Sequence, residues 1–383
     1  VYLDWNATTP LRPEARQAMT AAGDICGNPS SVHAEGRRAR RLVEDARALV
    51  AASLGALQRN VVFTSGGTEA NALALAPGLR GASGQPVERL VVSAIEHASV
   101  LAGGRFPAEA VGRVRVTRSG LVDLDQLRTG LNGPPALVSI MAANNETGAV
   151  QPIAEAAQIV HHAGGLLHVD AIQAFGKIPI NIKSLGADLV TISAHKIGGP
   201  KGVGALVLAE GLAGFEPLLR GGGQEFGRRA GTENVAGITG FGAAIAAALG
   251  GLEDGAIRLE AIRHRLESGL KRTPGAIVFA EQVSRLPNTT LFTVPGLKAE
   301  TAVIAFDLEG IAVSSGSACS SGKVQPSHVL EAMGFDAKLA QGAVRLSLGW
   351  STAEADIDRC LEAWRKLSGT LIKGCDETQL ERF

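Results

Sequence analysis

Short, almost wholly apolar runs recur along the first half of the chain, and several of them close on a polar residue. They are Val61–Thr64, Leu90–Ser93, Ala136–Met141, Leu166–Val169, Leu189–Ser193 and Ala205–Leu208. Runs this short do not make helices, and their continuous apolar character predicts strands covered on both faces. Between them lie Ala/Leu-rich stretches with helical spacing, Thr68–Leu79 and Ile153–His162, the second preceded by a helix-starting Pro152. The alternation predicts an α/β fold with a mainly parallel sheet flanked by helices. The 48 glycines cluster in short turns between runs, as tight βα and αβ connections require.

After about residue 250 the texture changes. A charged helix, Leu252–Leu270, precedes short runs at Ala276–Phe279, Thr289–Val294, Ile311–Ser314 and Ala343–Leu348. We read a large domain over 15–250. A smaller α+β domain is built from 1–14 and 251–383. A chain of 383 residues is long enough for both.

Charge narrows the function. Lys+Arg and Asp+Glu balance at 37 each, so no global field favours nucleic acid or membrane. The basic run Arg37–Arg41, with Glu35, Glu44 and Asp45 nearby, reads as a solvated helix face. No apolar run approaches the roughly 18 residues of a membrane span. Val1–Trp5 does not read as a signal peptide. Four cysteines are too few for a disulfide framework, so a reducing cytoplasmic setting is expected. No metal site is expected.

Active sites of open α/β sheets lie at the carboxyl ends of the strands, and the polar residues here fall there. Lys196 sits in a Ser/His/Gly-lined turn, Ile192-Ser-Ala-His-Lys-Ile-Gly-Gly-Pro-Lys201, placed for a Schiff base. Asp170 ends a run 26 residues earlier, with Gln173 one turn on. Pyridoxal phosphate needs a lysine for its aldehyde and a carboxylate for its pyridinium nitrogen. A helix cap is the other reading of Asp170. Ser193 and His195 close the same turn.

The remaining motifs each carry two readings. Gly67 and Thr68 open a helix after a strand. They hold a phosphate there, or form a plain glycine turn with Thr68 as cap. His97 stacks on a flat ring and moves protons, or is a hydrogen-bonded rim histidine. Asn144 and Asn145 bind a ring hydroxyl or a substrate carboxylate, or form an Asx turn. The Gly/Arg-rich stretch Arg220–Asn234 lets a phosphate or another subunit approach, or is a mobile loop. Arg345, inside an apolar run, calls for an anionic partner, and a substrate carboxylate held bidentately suits it. Cys319 lies among Ser, Ala and Gly, where a thiol is accessible. Cys360 reads as core, and Cys26 and Cys375 are ambiguous.

These residues resemble the NifS/IscS-like cysteine desulfurases, class-V aminotransferases within the fold-type I pyridoxal phosphate enzymes. The likeness runs nearly end to end through Tyr2–Pro10, Gly27–His33, Thr64–Asn71, Glu96-His97, Asn144–Gly148, His168–Gln173, Ser193–Lys196, Arg228–Asn234 and Ser315–Cys319. The Ser-Ser-Gly-Ser-Ala-Cys form is similar to the group I branch. The resemblance implies these roles. Lys196 forms the Schiff base and shuttles protons. Asp170 pairs with the pyridine nitrogen, and Gln173 bonds the ring hydroxyl. His97 stacks on the ring. Gly67, Thr68, Ser193 and His195 hold the phosphate. Thr232 reaches the phosphate of a neighbouring subunit, implying a homodimer with shared sites. Asn145 and Arg345, with Asn6, hold the carboxylate of L-cysteine. Cys319 attacks the substrate sulfur, leaving alanine and a Cys319 persulfide for a sulfur-acceptor protein, as in iron–sulfur cluster assembly. Trp5 and Cys26 are less usual for the family.

Three other functions compete. A selenocysteine lyase or cysteine C–S lyase need not use a protein thiol. An aminotransferase has no use for Cys319. A binding platform would turn over only with its partner present.

Overall fold

The computed structural model describes residues 1–81, 83–316 and 326–372. Seven strands form one sheet: β1 (Val61–Thr64), β2 (Arg89–Ser93), β3 (Val111–Val114), β4 (Ala136–Met141), β5 (Leu166–Asp170), β6 (Leu189–Ser193) and β7 (Gly204–Leu208). Their order is β1-β7-β6-β5-β4-β2-β3. From β6 through β5, β4 and β2 to β3 every neighbour is parallel. Only β7 runs the other way, antiparallel to both β6 and β1. Every residue of β1, β4, β5, β6 and β7 is buried, which is why each reads as a continuous apolar run.

The sheet gains one strand that the sequence did not announce. β3 is an edge strand whose Gly112 and Arg113 are exposed, so its apolar signature is diluted. The helix expected over Thr68–Leu79 runs only over Gly67–Ala74. Pro77 disfavours helical backbone before it, and the chain has already left the helix at Leu75 (ψ 74°). Ile153–His162 and Leu252–Leu270 are helices with the expected bounds.

Four strands form a second, antiparallel sheet: β8 (Ile277–Val278), β9 (Thr289–Thr293), β10 (Ser314–Ser315) and β11 (Val344–Ser347), ordered β10-β11-β9-β8. β10 falls later than the expected Ile311–Ser314, because Ala312 bridges Tyr2 instead. Leu3 N donates to Ala312 O at 2.9 Å, and Ser347 N donates to Leu3 O at 2.8 Å. Leu3 is buried in the same apolar cluster as Phe292, Phe306 and Trp364. A separate cluster around Val138, Val169, Val190 and Phe241 lies beside the large sheet.

The arginines of the basic run, Arg37, Arg38, Arg40 and Arg41, are all exposed on the helix Ala34–Leu54. Among the described residues no single helix is long and apolar enough to cross a membrane.

Candidate active site

Parallel strands bring their carboxyl ends to one edge. There β4, β5 and β6 end on Met141, Asp170 and Ser193, around a cavity of about 260 Å³. Of the residues singled out above, Asn6, Gly67, Thr68, His97, Asn145, Asp170, Gln173, Ser193, His195, Lys196 and Arg345 line it. Cys319 lies outside the described residues. Thr232 is exposed and faces a different cavity, with Ser65 and Arg229.

Asp170 is buried at 5% exposure. Its Oδ1 accepts from Ile172 N at 3.0 Å and its Oδ2 from Asn71 Nδ2 at 2.9 Å. Burial pushes its pKa up against those two bonds and against the nearby His97 and Lys196. A carboxylate so placed is completed by one more N–H donor or cation.

Behind it runs a buried polar chain that sequence reading missed. Thr191 Oγ1 donates to Asn71 Oδ1 at 2.7 Å. Its remaining capacity is as an acceptor, so the 3.2 Å bond from His168 Nε2 assigns the hydrogen to Nε2. His168 Nδ1 then accepts from Ser139 Oγ at 2.8 Å. Burial holds the His168 pKa down at about 3, so the ring stays neutral. On the other side, Asn71 Nδ2 also donates to Ser99 Oγ at 2.9 Å. Ser99 Oγ lies 2.8 Å from His97 Nδ1, and that nitrogen also accepts from Ser99 N. One amide thus ties the Asp170 carboxylate to the His97 ring. Strand register makes the chain possible, since Ser139 pairs with His168 and Asp170 with Thr191.

Lys196 Nζ donates to Asn6 O and, at 2.9 Å, to Ala7 O. Asn6 is 1% exposed and joins both sheets. Its Nδ2 donates to Asn145 O and Thr289 Oγ1, and its Oδ1 accepts from Lys177 Nζ and Asn288 Nδ2. The side chain expected to touch a substrate carboxylate is therefore already engaged at both ends. Arg345 does find an anionic partner. Its Nη2 meets Asp4 Oδ1 at 2.8 Å and its Nη1 donates to Asn145 O at 3.1 Å. Its buried Nε has no hydrogen-bond partner among the described residues.

Across the cavity, Gly67 starts a helix, so its N–H and those after it lack intrahelical acceptors. A Cβ on Gly67 would stand 2.3 Å from Ile172 Cδ1, so a larger residue there would have to push that side chain aside. Ser193 Oγ is buried without a hydrogen-bond partner among the described residues. Burial, with Lys196 and Lys201 nearby, lowers the His195 pKa to about 4. Helix-start amides, an orphaned hydroxyl and a neutral imidazole together make an anion cradle.

Two buried acids complete the surroundings. Glu96 is fully buried, and burial with nearby Asp170 raises its pKa well above the usual range. Its Oε1 accepts from Met141 N at 2.8 Å, and its Oε2 has no hydrogen-bond partner among the described residues. Glu146 is hydrogen-bonded to Ser327 Oγ, and burial raises its pKa to about 7 despite Ser327 and Arg345. In the unfolded chain it titrates near about 4.3. The folded state therefore holds this proton more tightly, and its contribution falls as pH rises from about 4.3 through 7. Glu146→Gln, which never ionises, is expected to gain on the wild type across that window, by up to about 3 kcal/mol. Urea midpoints of both chains at pH 4.5 and pH 8 measure it, and a pH-independent difference would refute it.

The chain's sequence matches the model of the family described as Aminotransferase class-V over residues 1–360. It is 47% identical over 370 residues to a cysteine desulfurase of Cereibacter sphaeroides, covering 94% of each chain. It is 41% identical to cysteine desulfurase IscS of Dictyoglomus turgidum, covering 96% of this chain and 94% of that one. The fold is similar to the X-ray structure of a NifS-like protein from Rickettsia africae, with TM-score 0.87 and 38% identity over 97% of this chain and 99% of that one.

The chain belongs to the class-V aminotransferases, among the cysteine desulfurases.

Cysteine desulfurases of this family are pyridoxal phosphate enzymes, and the cavity fits the cofactor. The anion cradle suits its phosphate. The buried Asp170 carboxylate has room for a protonated ring nitrogen, and Lys196 stands in the same cavity. When bound, the cofactor supplies an electron sink for charge developed on the substrate.

Proposed function

We propose that the chain is a pyridoxal phosphate-dependent L-cysteine desulfurase that releases L-alanine and leaves a persulfide on Cys319. The observation that carries this reading is the shared cavity of Lys196, Asp170 and the Gly67–Thr68–Ser193–His195 cradle. Lys196 holds the cofactor and moves protons at the substrate. Asp170, fixed by Asn71 and Ile172 N, keeps the ring nitrogen protonated. His97, fixed by Ser99, covers the ring, and Gln173 donates to its hydroxyl oxygen. Arg345 Nε and Asn145 hold the substrate carboxylate, with Asn6 as the frame behind them.

The Cys319 thiolate attacks the substrate sulfur. An S–S bond forms, the Cβ–S bond breaks, and its electron pair stays on Cβ, which takes a proton to become the alanine methyl group. The sulfur then passes from Cys319 to an acceptor thiol, in iron–sulfur cluster assembly or another thiolation. Two copies of the chain share sites, each lending its exposed Thr232 to the other's phosphate. Residues 15–250 carry the cofactor, and 1–14 with 251–383 form the smaller unit. Cys26 and Cys360 are free thiols, in keeping with a cytoplasmic setting.

The test measures alanine and protein-bound persulfide from L-cysteine. Wild type is expected to give both. Cys319→Ala is expected to lose both while keeping the yellow band of the bound cofactor. Full alanine release by Cys319→Ala would move the chain to the C–S or selenocysteine lyases.

A further inference from the structure

A second lysine stands beside the cavity, and nothing above gives it a task. Lys177 follows Gln173 by one helical turn's spacing. Its Nζ donates to Gln173 Oε1 at 2.8 Å and to Asn6 Oδ1 at 3.0 Å. These partners are neutral amide oxygens rather than a carboxylate. Burial, with Lys196 and Arg345 nearby, pulls its pKa well below the usual lysine range. Lys177 is half-buried, and an amine held by two amide oxygens with no carboxylate among them calls for a reason.

The reason lies in how an amide chooses its direction. A glutamine side chain has an oxygen that accepts and a nitrogen that donates, and the two ends are nearly the same shape. Only its neighbours decide which end faces the site. Lys177, charged or neutral, has N–H groups enough for both oxygens it meets. It therefore draws Gln173 Oε1 to itself and turns Nε2 the other way. Nε2 uses one hydrogen on Asn6 O, at 2.9 Å. The second hydrogen has no acceptor among the described residues, and Gln173 lines the cavity. Asn6 is set in the same manner. With its Oδ1 toward Lys177 and Asn288, its Nδ2 must face Asn145 O and Thr289 Oγ1.

We propose that Lys177 is a positioning residue that fixes the side-chain amides of Gln173 and Asn6, so that the Gln173 N–H faces the ring oxygen of the cofactor. It touches neither cofactor nor substrate. This inference rests on the proposed function, because the ring oxygen is the acceptor it supplies.

A reversed Gln173 would present an oxygen to an oxygen, and the ring would lose a donor. A hydrogen bond to the ring oxygen stabilises its ionised form, so losing the bond raises the pH at which the bound cofactor deprotonates. The expected rise for Lys177→Met is about one pH unit, from a bond worth roughly a tenfold change in a proton equilibrium. The groups whose charges act on Lys177 are Lys196, in the turn after β6, and Arg345 on β11.

The experiment is a pH titration of the yellow band in wild type, Lys177→Met, Gln173→Ala and the double variant, with thermal unfolding of each. The expected result is a rise in Lys177→Met, a similar rise in Gln173→Ala, and no further rise in the double variant. An unmoved midpoint in Lys177→Met would overturn the proposal. So would a Lys177→Met rise that persists in the Gln173→Ala background, since the lysine would then act by its charge alone. If Lys177→Met binds no cofactor, Lys177→Gln takes its place in the same comparison, because its own amide can turn either way. A wild type without any yellow band would instead remove the proposed function itself.

Discussion

Lys196→Ala is expected to bind no cofactor covalently and to form alanine on the order of ten-thousandfold more slowly. The amine does two jobs in the proposed chemistry. It holds the cofactor by a covalent bond, and it moves protons at the substrate. Nothing nearby replaces it. Lys177 is already bonded to Asn6 Oδ1 and Gln173 Oε1. Lys201 lies in the turn after it and is exposed. The phosphate cradle and Asp170 are untouched by the substitution, so reconstituted chain should still take up pyridoxal phosphate, though without the yellow band. Equilibrium dialysis and absorption spectra read the two effects separately. Near wild-type alanine formation by Lys196→Ala would overturn the assignment. Total loss of uptake would show that the covalent bond, not the cradle, holds the cofactor.

Glu225→Ala is expected to destabilise the fold by about 3–5 kcal/mol, more than any other single change considered. Glu225 lies in the Gly/Arg-rich stretch Arg220–Asn234, at 4% exposure. Its carboxylate takes both terminal nitrogens of Arg47, at 2.7 and 2.9 Å, and also Phe63 N on β1 at 2.8 Å. Arg47 is itself only 2% exposed. Removing the carboxylate leaves Phe63 N without its acceptor and the buried guanidinium with only Val61 O and the half-buried Glu44, and that loss of compensation is the main cost. The backbone there is also strained. Glu225 and Phe226 are left-handed, at φ 48° and 58°, which costs a non-glycine residue about 1–2 kcal/mol. The ion pair holds that conformation in place. Denaturant unfolding measures the loss. Proteolysis within 220–234 is expected to quicken in parallel. A loss under about 1 kcal/mol would mean that the pair is idle.

The same stretch marks where sequence reading ran out. In sequence the glycines of this stretch, Gly221 to Gly223 among them, read as letting a phosphate or another subunit approach, or as a mobile loop. None of Gly221 to Gly223 is left-handed. The turn falls instead on Glu225, Phe226 and Gly227. Local composition announced irregularity but not its place, because a distant arginine on the helix Ala34–Leu54 decides it. The site shows a similar division. Lys196 and Asp170 were legible because each follows or ends a strand that announces itself by burial on both faces, and His97 because it follows the short apolar run of β2. Asn71, Ser99, Thr191 and His168 were not. Their task exists only once β5 and β6 lie in register and a helix end lies over them. Arg345 called for an anion in sequence, but Asp4 is 341 residues away and only the fold brings it near. β3 escaped because an edge strand keeps polar residues in water.

Asn6 has a mechanical consequence. On one side it meets Gln173, Lys177 and Lys196, and on the other Thr289, Asn288 and Ser347. Rocking one sheet against the other about the cavity would have to break several of these bonds together, each worth about 1 kcal/mol. Asn6 thus pins the two walls of the cavity together, and the bonds from Arg345 to Asn145 O and from Leu286 N to Gly148 O add to it. Opening and closing by hinge rotation is costly in such a body. The walls are expected to keep their spacing while substrate enters and product leaves.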